Sequence, residues 1–293
     1  MYSEISKLPK IDLHMHSVVS DGSDSPEELA QLVREKGIDI FSLTDHDAVK
    51  GCGRIRQALK PGGPKLLTGV EFSCKDHGGK YHILGYGYDP EGGSIRKTVE
   101  KGHELRMKNV WARLQLLEKE FGFAFRQEEI DQLLSLDNPG KPHIANLMVK
   151  YGYAENRTQA IREFIDKLSY KSLYLNPEET IMGILNSGGI PILAHPAYGS
   201  GSEMILGRDL EKRVLHLIHF GLKGLEAVYN GFTPAIRNEA LGLAKEYDLY
   251  VTAGSDYHGG NKVVVLGETG LKELDTVPEG LNRFLEDISG KLY

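Results

Sequence analysis

Residues 10–29 read KIDLHMHSVVSDGSDSPEEL. The first part is a short apolar run, and strand alternation would point His14 and His16 to the same side of it. The second part is a helix start. Ser25 is placed to cap, Pro26 takes the first helical position and Glu28 completes a capping box. Gly37 marks the expected stop. Asp21 lies between the two parts, in an SDG turn signal. A strand, a polar loop and a capped helix form one unit of an alternating pattern.

Similar units recur. IDIFSLTDHD (38–47), KLLTGVEFSC (65–74) and KYHILGYGYD (80–89) follow as strands. DHGG between the last two reads as a hairpin turn, which would make them antiparallel neighbours. IPILAHPAY (190–198), GLEAVYN (224–230) and LYVTAGSDYH (249–258) complete the strand set. Between residues 94 and 180 the period changes. Val110, Leu114, Leu117 and Phe121 recur at helical spacing, an expected packing stripe against the strands. KPHIANLMVKYG and TQAIREFIDKLS also read as helices. NPEETIMGILNSGG, with Asn176 as N-cap and Pro177 behind it, returns the chain to the strands. Strand–helix units around a helical insertion imply a barrel-like α/β domain.

The chain has 293 residues and a formal net charge of -6, so no basic surface marks a long nucleic acid as its partner. Bound cations could reverse that sign locally, which leaves a small phosphorylated substrate open. Cys52 and Cys74 cannot build a disulfide framework or a Cys-rich zinc site, and the expected compartment is a reducing cytoplasm. The N-terminal residues carry no signal-peptide core, and no apolar run is long enough for a membrane span.

The chemistry gathers at strand ends. His14 and His16 close the first strand, His46 the second, His195 the IPILAHP strand, and Asp256 and His258 the last; Glu71 lies late in the third and His82 in the fourth. Barrel enzymes place their chemistry on the rim at the C-terminal ends of strands. A His-x-His pair alone decides nothing, but an ordered set along successive strands does. Imidazoles and carboxylates without thiolates suit zinc, manganese or iron. With Asp21 the candidates number nine, more than one tetrahedral ion uses, so two or three ions bridged by carboxylates are expected. Clustered ions polarise phosphoryl oxygens and acidify water.

DLHMHSVVSDG, GIDIFSLTDHD, GVEFS, HILGYG, ILAHP and TAGSDYH together resemble the PHP (polymerase and histidinol phosphatase) family. The resemblance implies a distorted (β/α)7 barrel of the PHP type. Residues 1–93 and 181–293 would form it, and 94–180 would be a helical insertion covering the active site. It implies a metal-dependent phosphoesterase with two or three divalent ions (Mn, Fe or Zn). The first would be held by His14, His16, Glu71 and Asp256, the second by Asp21, His46 and His258, and the third by Glu71, His82 and His195. KPHIANLMV within the insertion is similar to a motif of small nucleoside 3′,5′-bisphosphate phosphatases and of relatives that trim short RNA from the 5′ end. There Arg usually precedes Pro-His; here Lys141 keeps the charge without the bidentate fork. His143, Arg106 and Lys141 are the expected substrate contacts. The expected partner is a small phosphorylated nucleotide or a short single-stranded RNA or DNA, with no membrane and no obligate protein partner.

Rival readings are a histidinol phosphate phosphatase and a PHP scaffold module without metals. An amidohydrolase breaking C–N bonds is a third, disfavoured by Glu71 and His82 where such enzymes commonly use a modified Lys. Tyr86, Tyr88 and Tyr198 lie near proposed ligands in sequence and could stack on a base. Asp45 or Asp47 could orient an imidazole. His77 reads as a turn residue, and His216 and His219 as helix surface.

Overall fold

The computed structural model describes residues 2–199 and 203–293. Its first unit follows the opening stretch. β1 (Ile11–Asp12) leads into α1 (Pro26–Glu35), where Ser25 accepts from the Glu28 amide and the Glu28 carboxylate accepts from the Ser25 amide. β2 (Ile40–Phe41), α2 (Lys50–Ala58) and β3 (Lys65–Leu66) follow, and β1, β2 and β3 form a parallel sheet.

Residues 65–74, expected as one strand, divide in two. After β3 the chain turns at Leu67–Thr68 and continues as β4 (Gly69–Lys75), which leaves the first sheet and pairs with β5 (Lys80–Tyr86). Gly69 sits at the turn, where a Cβ would lie 2.0 Å from the Ser42 hydroxyl. β4 and β5 are antiparallel, as the DHGG turn predicted. The second sheet continues through β6 (Ile190–Leu193), β7 (Gly224–Tyr229) and β8 (Tyr250–Gly254). β5 and β6 are antiparallel, and β6, β7 and β8 are parallel. The strands therefore form sheets of three and five, bridged at Met15–Tyr257 and at His46–Glu71.

The helices before residue 93 and from residue 177 onward cover the sheets. They are α1, α2 and the later α7 (Pro177–Leu185), α8 (Arg208–His219), α9 (Pro234–Glu246) and α10 (Glu279–Asp287). Before α7 come α3 (Gly93–Phe121), α4 (Gln127–Leu134), α5 (Lys141–Lys150) and a short α6 (Arg157–Gln159). The TQAIREFIDKLS stretch, expected as one helix, is broken. α6 passes into a π turn over Ala160–Phe164 and a 3-10 turn over Ile165–Lys167. Val110, Leu114 and Leu117 are buried, but in a cluster with Leu133, Ile144, Met148 and Ile165. The stripe packs these helices on one another rather than on the strands. Phe121 is 37% exposed at the end of α3 and meets Phe123 and Phe164.

Both cysteines are free and buried. Among the described residues no helix is long and apolar enough to cross a membrane. The α1 capping box gives a local test. Ser25→Ala, read by urea unfolding, should lower stability by about 1 kcal/mol, the usual cost of losing an N-cap.

Candidate metal centre

Three local devices bring the donors together. His14 and His16 follow β1 along a stretch whose backbone pairs with the end of β8 and the residues after it: Leu13 donates to Ala253, His16 to Tyr257 and Asp256 to His14. The bridge between His46 and Glu71 joins the other seam. β5 runs antiparallel to β6, so its N-terminal half reaches the rim made by the C-terminal ends of β6, β7 and β8. That places His82, third in its strand, beside Ala194 and His195. The rim backbone is unusual. Asp47, His195 and Asp256 adopt φ of 47°, 27° and 57°, a region that costs non-glycine residues energy and that clusters at functional sites.

Glu71 lies at the centre and is almost fully buried. Its Oε2 is 3.3 Å from His14 Nε2, 3.2 Å from His16 Nε2 and 3.1 Å from His46 Nδ1. Its Oε1 is 2.9 Å from His82 Nδ1 and 3.3 Å from His195 Nε2. Asp256 Oδ1 is 3.6 Å from His14 Nε2 and 3.4 Å from His16 Nε2. Asp21 reaches in from its loop, with Oδ1 3.3 Å from His258 Nε2 and Oδ2 3.8 Å from His46 Nε2. All nine candidates thus meet in one cluster.

The hydrogen bonds decide which atoms are free to ligate. His14 Nδ1 is 2.9 Å from Glu226 Oε1, a carboxylate that can only accept, so the proton sits on Nδ1. His16 Nδ1 lies 3.4 Å from Ser20 Oγ, which itself donates to Asp45 at 2.7 Å. In the neutral rings, the form that ligates a metal, the two Nε2 atoms would present lone pairs to each other at 3.2 Å and to the carboxylates of Glu71 and Asp256. Acceptors facing acceptors at this range repel unless a cation lies among them. Bonds of about 2.1 Å to one ion set neighbouring donors about 3.0–3.4 Å apart, close to the spacing seen. His46 Nδ1, His82 Nδ1, His195 Nδ1 and Glu71 Oε1 are also buried without a hydrogen-bond partner, and buried polar atoms are rarely left so. The donor set fits divalent ions.

Electrostatics point the same way. Burial opposes a proton on His16, but Asp256 and Glu71 outweigh it and lift its pKa to about 9. Burial likewise opposes charge on His14, and Glu226, Glu71 and Asp256 together raise it well above the ordinary value. Burial holds His46 well below the usual imidazole range despite Glu71 and Asp21. Against burial, the surrounding imidazoles keep Asp21 and Glu71 ionised well below the usual carboxylate range. The pocket demands positive charge.

The residues around the donors settle earlier alternatives. Asp45, not Asp47, supports an imidazole, accepting from the Ser17 amide and hydroxyl and from Ser20. Asp47 instead binds Arg106, at 2.5 Å, and the Ser73 amide. Tyr86 and Tyr88 are buried core residues bonded to the Leu13 and Gly69 carbonyls, and Tyr198 bonds Gly231. His216 is not plain helix surface: its Nε2 is 2.6 Å from Asp76, with the exposed His77 ring beside it. Glu226 and Lys262 escaped the sequence reading. Glu226 is completely buried and accepts from both His14 Nδ1 and the His195 amide. Lys262 Nζ is 2.6 Å from Asp256 Oδ2. Only its place as an acid inside the apolar strand GLEAVYN could have flagged Glu226.

A cavity of about 510 Å³ opens over the cluster, lined at one end by Asp21, His46 and His82. α3 and the start of α5 form its wall through Arg106, Lys141 and neighbours. Lys141 lies 2.6 Å from Asp166. His143 is half-buried at the start of α5, and its Nδ1 accepts from the Gly140 amide at 3.1 Å. In the neutral ring this leaves the proton on Nε2.

Outer partners of ligating histidines tune metal affinity. Glu226→Gln should weaken metal retention by about 10–100-fold against a competing chelator, with the fold kept, as followed by metal analysis and circular dichroism.

Residues 12–176 match the PHP domain family. The chain is 30% identical over 254 residues to a 5′-3′ exoribonuclease of Haemophilus influenzae, covering 85% of this chain and 90% of that protein. It is 26% identical to the phosphoribosyl 1,2-cyclic phosphate 1,2-diphosphodiesterase of Eggerthella lenta, covering 85% and 94%. It is also 26% identical to the 3′,5′-nucleoside bisphosphate phosphatase of Chromobacterium violaceum, covering 86% and 88%. A crystal structure described as a metal-dependent phosphoesterase from Bifidobacterium adolescentis superposes with a TM-score of 0.79 at 26% identity, covering 94% of this chain and 95% of that one. With the rim of histidines and carboxylates in place, the chain belongs to the PHP family.

Proposed function

We propose that this protein is a metal-dependent phosphoesterase that hydrolyses phosphate monoesters of small nucleotides. Nucleoside 3′,5′-bisphosphates are the preferred class, and the 5′ ends of short oligonucleotides are a second. The observation that carries this is the cavity itself: metal donors form one end, and Lys80, Arg106 and Lys141 line it. Such a surface recognises a phosphate ester, and the relatives named above act on phosphate esters. The complete donor set argues against a metal-free scaffold.

His14, His16, Glu71 and Asp256 would hold one ion, Asp21, His46 and His258 a second, and Glu71, His82 and His195 a third. Manganese, iron and zinc all suit these donors. When bound, such ions neutralise charge on the phosphoryl oxygens and acidify a water for attack. The chain supplies the rest. Asp47 fixes the Arg106 guanidinium, which also lies 3.3 Å from Ser73 Oγ, so that it can orient a phosphate without a large loss of side-chain freedom. His143 presents its Nε2 proton as a donor. Lys141 adds charge that is shared with Asp166.

We read residues 1–93 and 181–293 as the catalytic unit and 94–180 as the insertion that covers it. The separate apolar cluster of α3, α4 and α5 supports that division. The two sheets, bridged at both seams, support a distorted barrel related to the (β/α)7 type. Nucleotide substrates and two buried free thiols suit a reducing cytoplasm.

Hydrolysis should be measured with manganese, as phosphate release from adenosine 3′,5′-bisphosphate and histidinol phosphate, ring opening of phosphoribosyl 1,2-cyclic phosphate, and phosphate or nucleotide release from a short 5′-phosphorylated RNA. The bisphosphate should turn over fastest. A clear preference for histidinol phosphate, or no reaction with any of the four, would reject the nucleotide assignment. Asp21→Asn and His46→Ala should each reduce kcat by at least about a hundredfold while circular dichroism stays unchanged. Near-normal turnover in either variant would reject the metal assignment.

A further inference from the structure

The cavity has a far end that the metal cluster does not use. Arg113 lies there, one face of α3 along from Arg106, seven residues and about 10 Å further on. It is only 7% exposed, its Nε has no hydrogen-bond partner, and among the described residues no carboxylate pairs with it. Its guanidinium lies 5.6 Å from the centre of the Tyr170 ring, and the buried Tyr170 hydroxyl faces Arg113 and Ser172 without a well-formed hydrogen bond to either. Lys80 lines the same cavity and lies 5.9 Å from the Tyr174 ring. Asp166 lines the same cavity and favours the Arg113 charge from a distance, but its carboxylate is paired with Lys141.

The arrangement is built rather than incidental. Asn109, between the two arginines on α3, donates to the Leu173 carbonyl at 2.7 Å and accepts from the Leu173 amide at 2.8 Å. This double bond clamps the segment carrying Tyr170 and Tyr174 against the helix. A buried guanidinium without an anion is costly, and folded proteins seldom leave one uncompensated. Its planar fork of donors matches a phosphate.

We infer that the far end of the cavity is a second phosphate subsite, in which Arg113 and the Tyr170 hydroxyl bind a phosphate of the substrate that is not hydrolysed. The inference rests on the phosphoesterase reading and names what sets its specificity. The bound group is either the second phosphate of a nucleoside 3′,5′-bisphosphate or the next phosphodiester of an oligonucleotide. A minimal monoester cannot reach this subsite.

The test compares wild type, Arg113→Met and Arg113→Lys on adenosine 3′,5′-bisphosphate, a short 5′-phosphorylated RNA and p-nitrophenyl phosphate. Arg113→Met should lower kcat/KM by about tenfold or more for at least one of the first two, mainly through KM. It should leave p-nitrophenyl phosphate within about twofold, and Arg113→Lys should recover part of the loss. Loss with the bisphosphate identifies a nucleotide's second phosphate; loss with the RNA alone identifies a phosphodiester. Unchanged kinetics on both, or an equal fall on all three substrates, would overturn the subsite. Calorimetric binding of the bisphosphate and of the RNA to wild type and Arg113→Met separates this from the activity itself. Weaker binding of either ligand to the variant upholds the subsite even if none of the substrates is hydrolysed, and equal binding of both overturns it.

Discussion

One carboxylate shared among five imidazoles organises this molecule. Glu71 faces His14, His16 and His46 with one oxygen and His82 and His195 with the other. Imidazoles and carboxylates this close are stable only around positive charge, supplied by protons on the rings or by metal ions among them. The fold is arranged to hold them there. Glu71 sits on β4, the strand that leaves the first sheet for the second, and its backbone bridges to His46 across that seam. The antiparallel β5 brings His82 to the same rim. The left-handed backbone of His195 and Asp256 aims two more donors inward, a strain that the surrounding hydrogen bonds must hold.

A second layer fixes the first. Glu226 joins the His14 ring to the His195 backbone, so two strands are tied by one buried acid. Asp45 holds the Ser17–Ser20 loop that supports His16. Gly254 shows how close this packing is, because a Cβ there would lie 2.3 Å from Glu226 and 2.4 Å from the His14 Cβ. The helices from residue 93 onward play a different part. They carry cationic and phenolic groups over an acidic rim, which explains how a chain of net charge -6 can suit an anionic substrate.

Much of this was legible in the sequence, and the parts that were not share a cause. The capped helices at Ser25 and Asn176 and the DHGG hairpin depend on local chemistry, and they form as read. His14, His16, His46, His195, Asp256 and His258 meet because strand ends in an alternating α/β chain converge on one rim, whereas Glu71 and His82 lie early in β4 and β5 and Asp21 enters from a loop. The division of residues 65–74 into two strands was invisible because it comes from a change of pairing partner. The break in the TQAIREFIDKLS stretch also departs from its helical pattern, and it falls where Ala160 and Ile165 are buried in the apolar cluster of the α3–α5 helices. Tyr86 and Tyr88 were neighbours of donors in sequence, yet they lie further along the chain from His82, buried and bonded to the Leu13 and Gly69 carbonyls. Nothing in the sequence singles out Arg113, because burial, not residue type, makes it unusual.

The central claim is that Glu71 is the shared ligand of a cluster of divalent ions. Anomalous scattering from crystals of the metal-loaded protein, collected above and below the metal edge, tests it most directly. Two or three peaks within bonding distance of the histidines, at least two of them touching the Glu71 carboxylate, are predicted. A single peak remote from Glu71, or no peak among these side chains at saturating metal, would contradict the account.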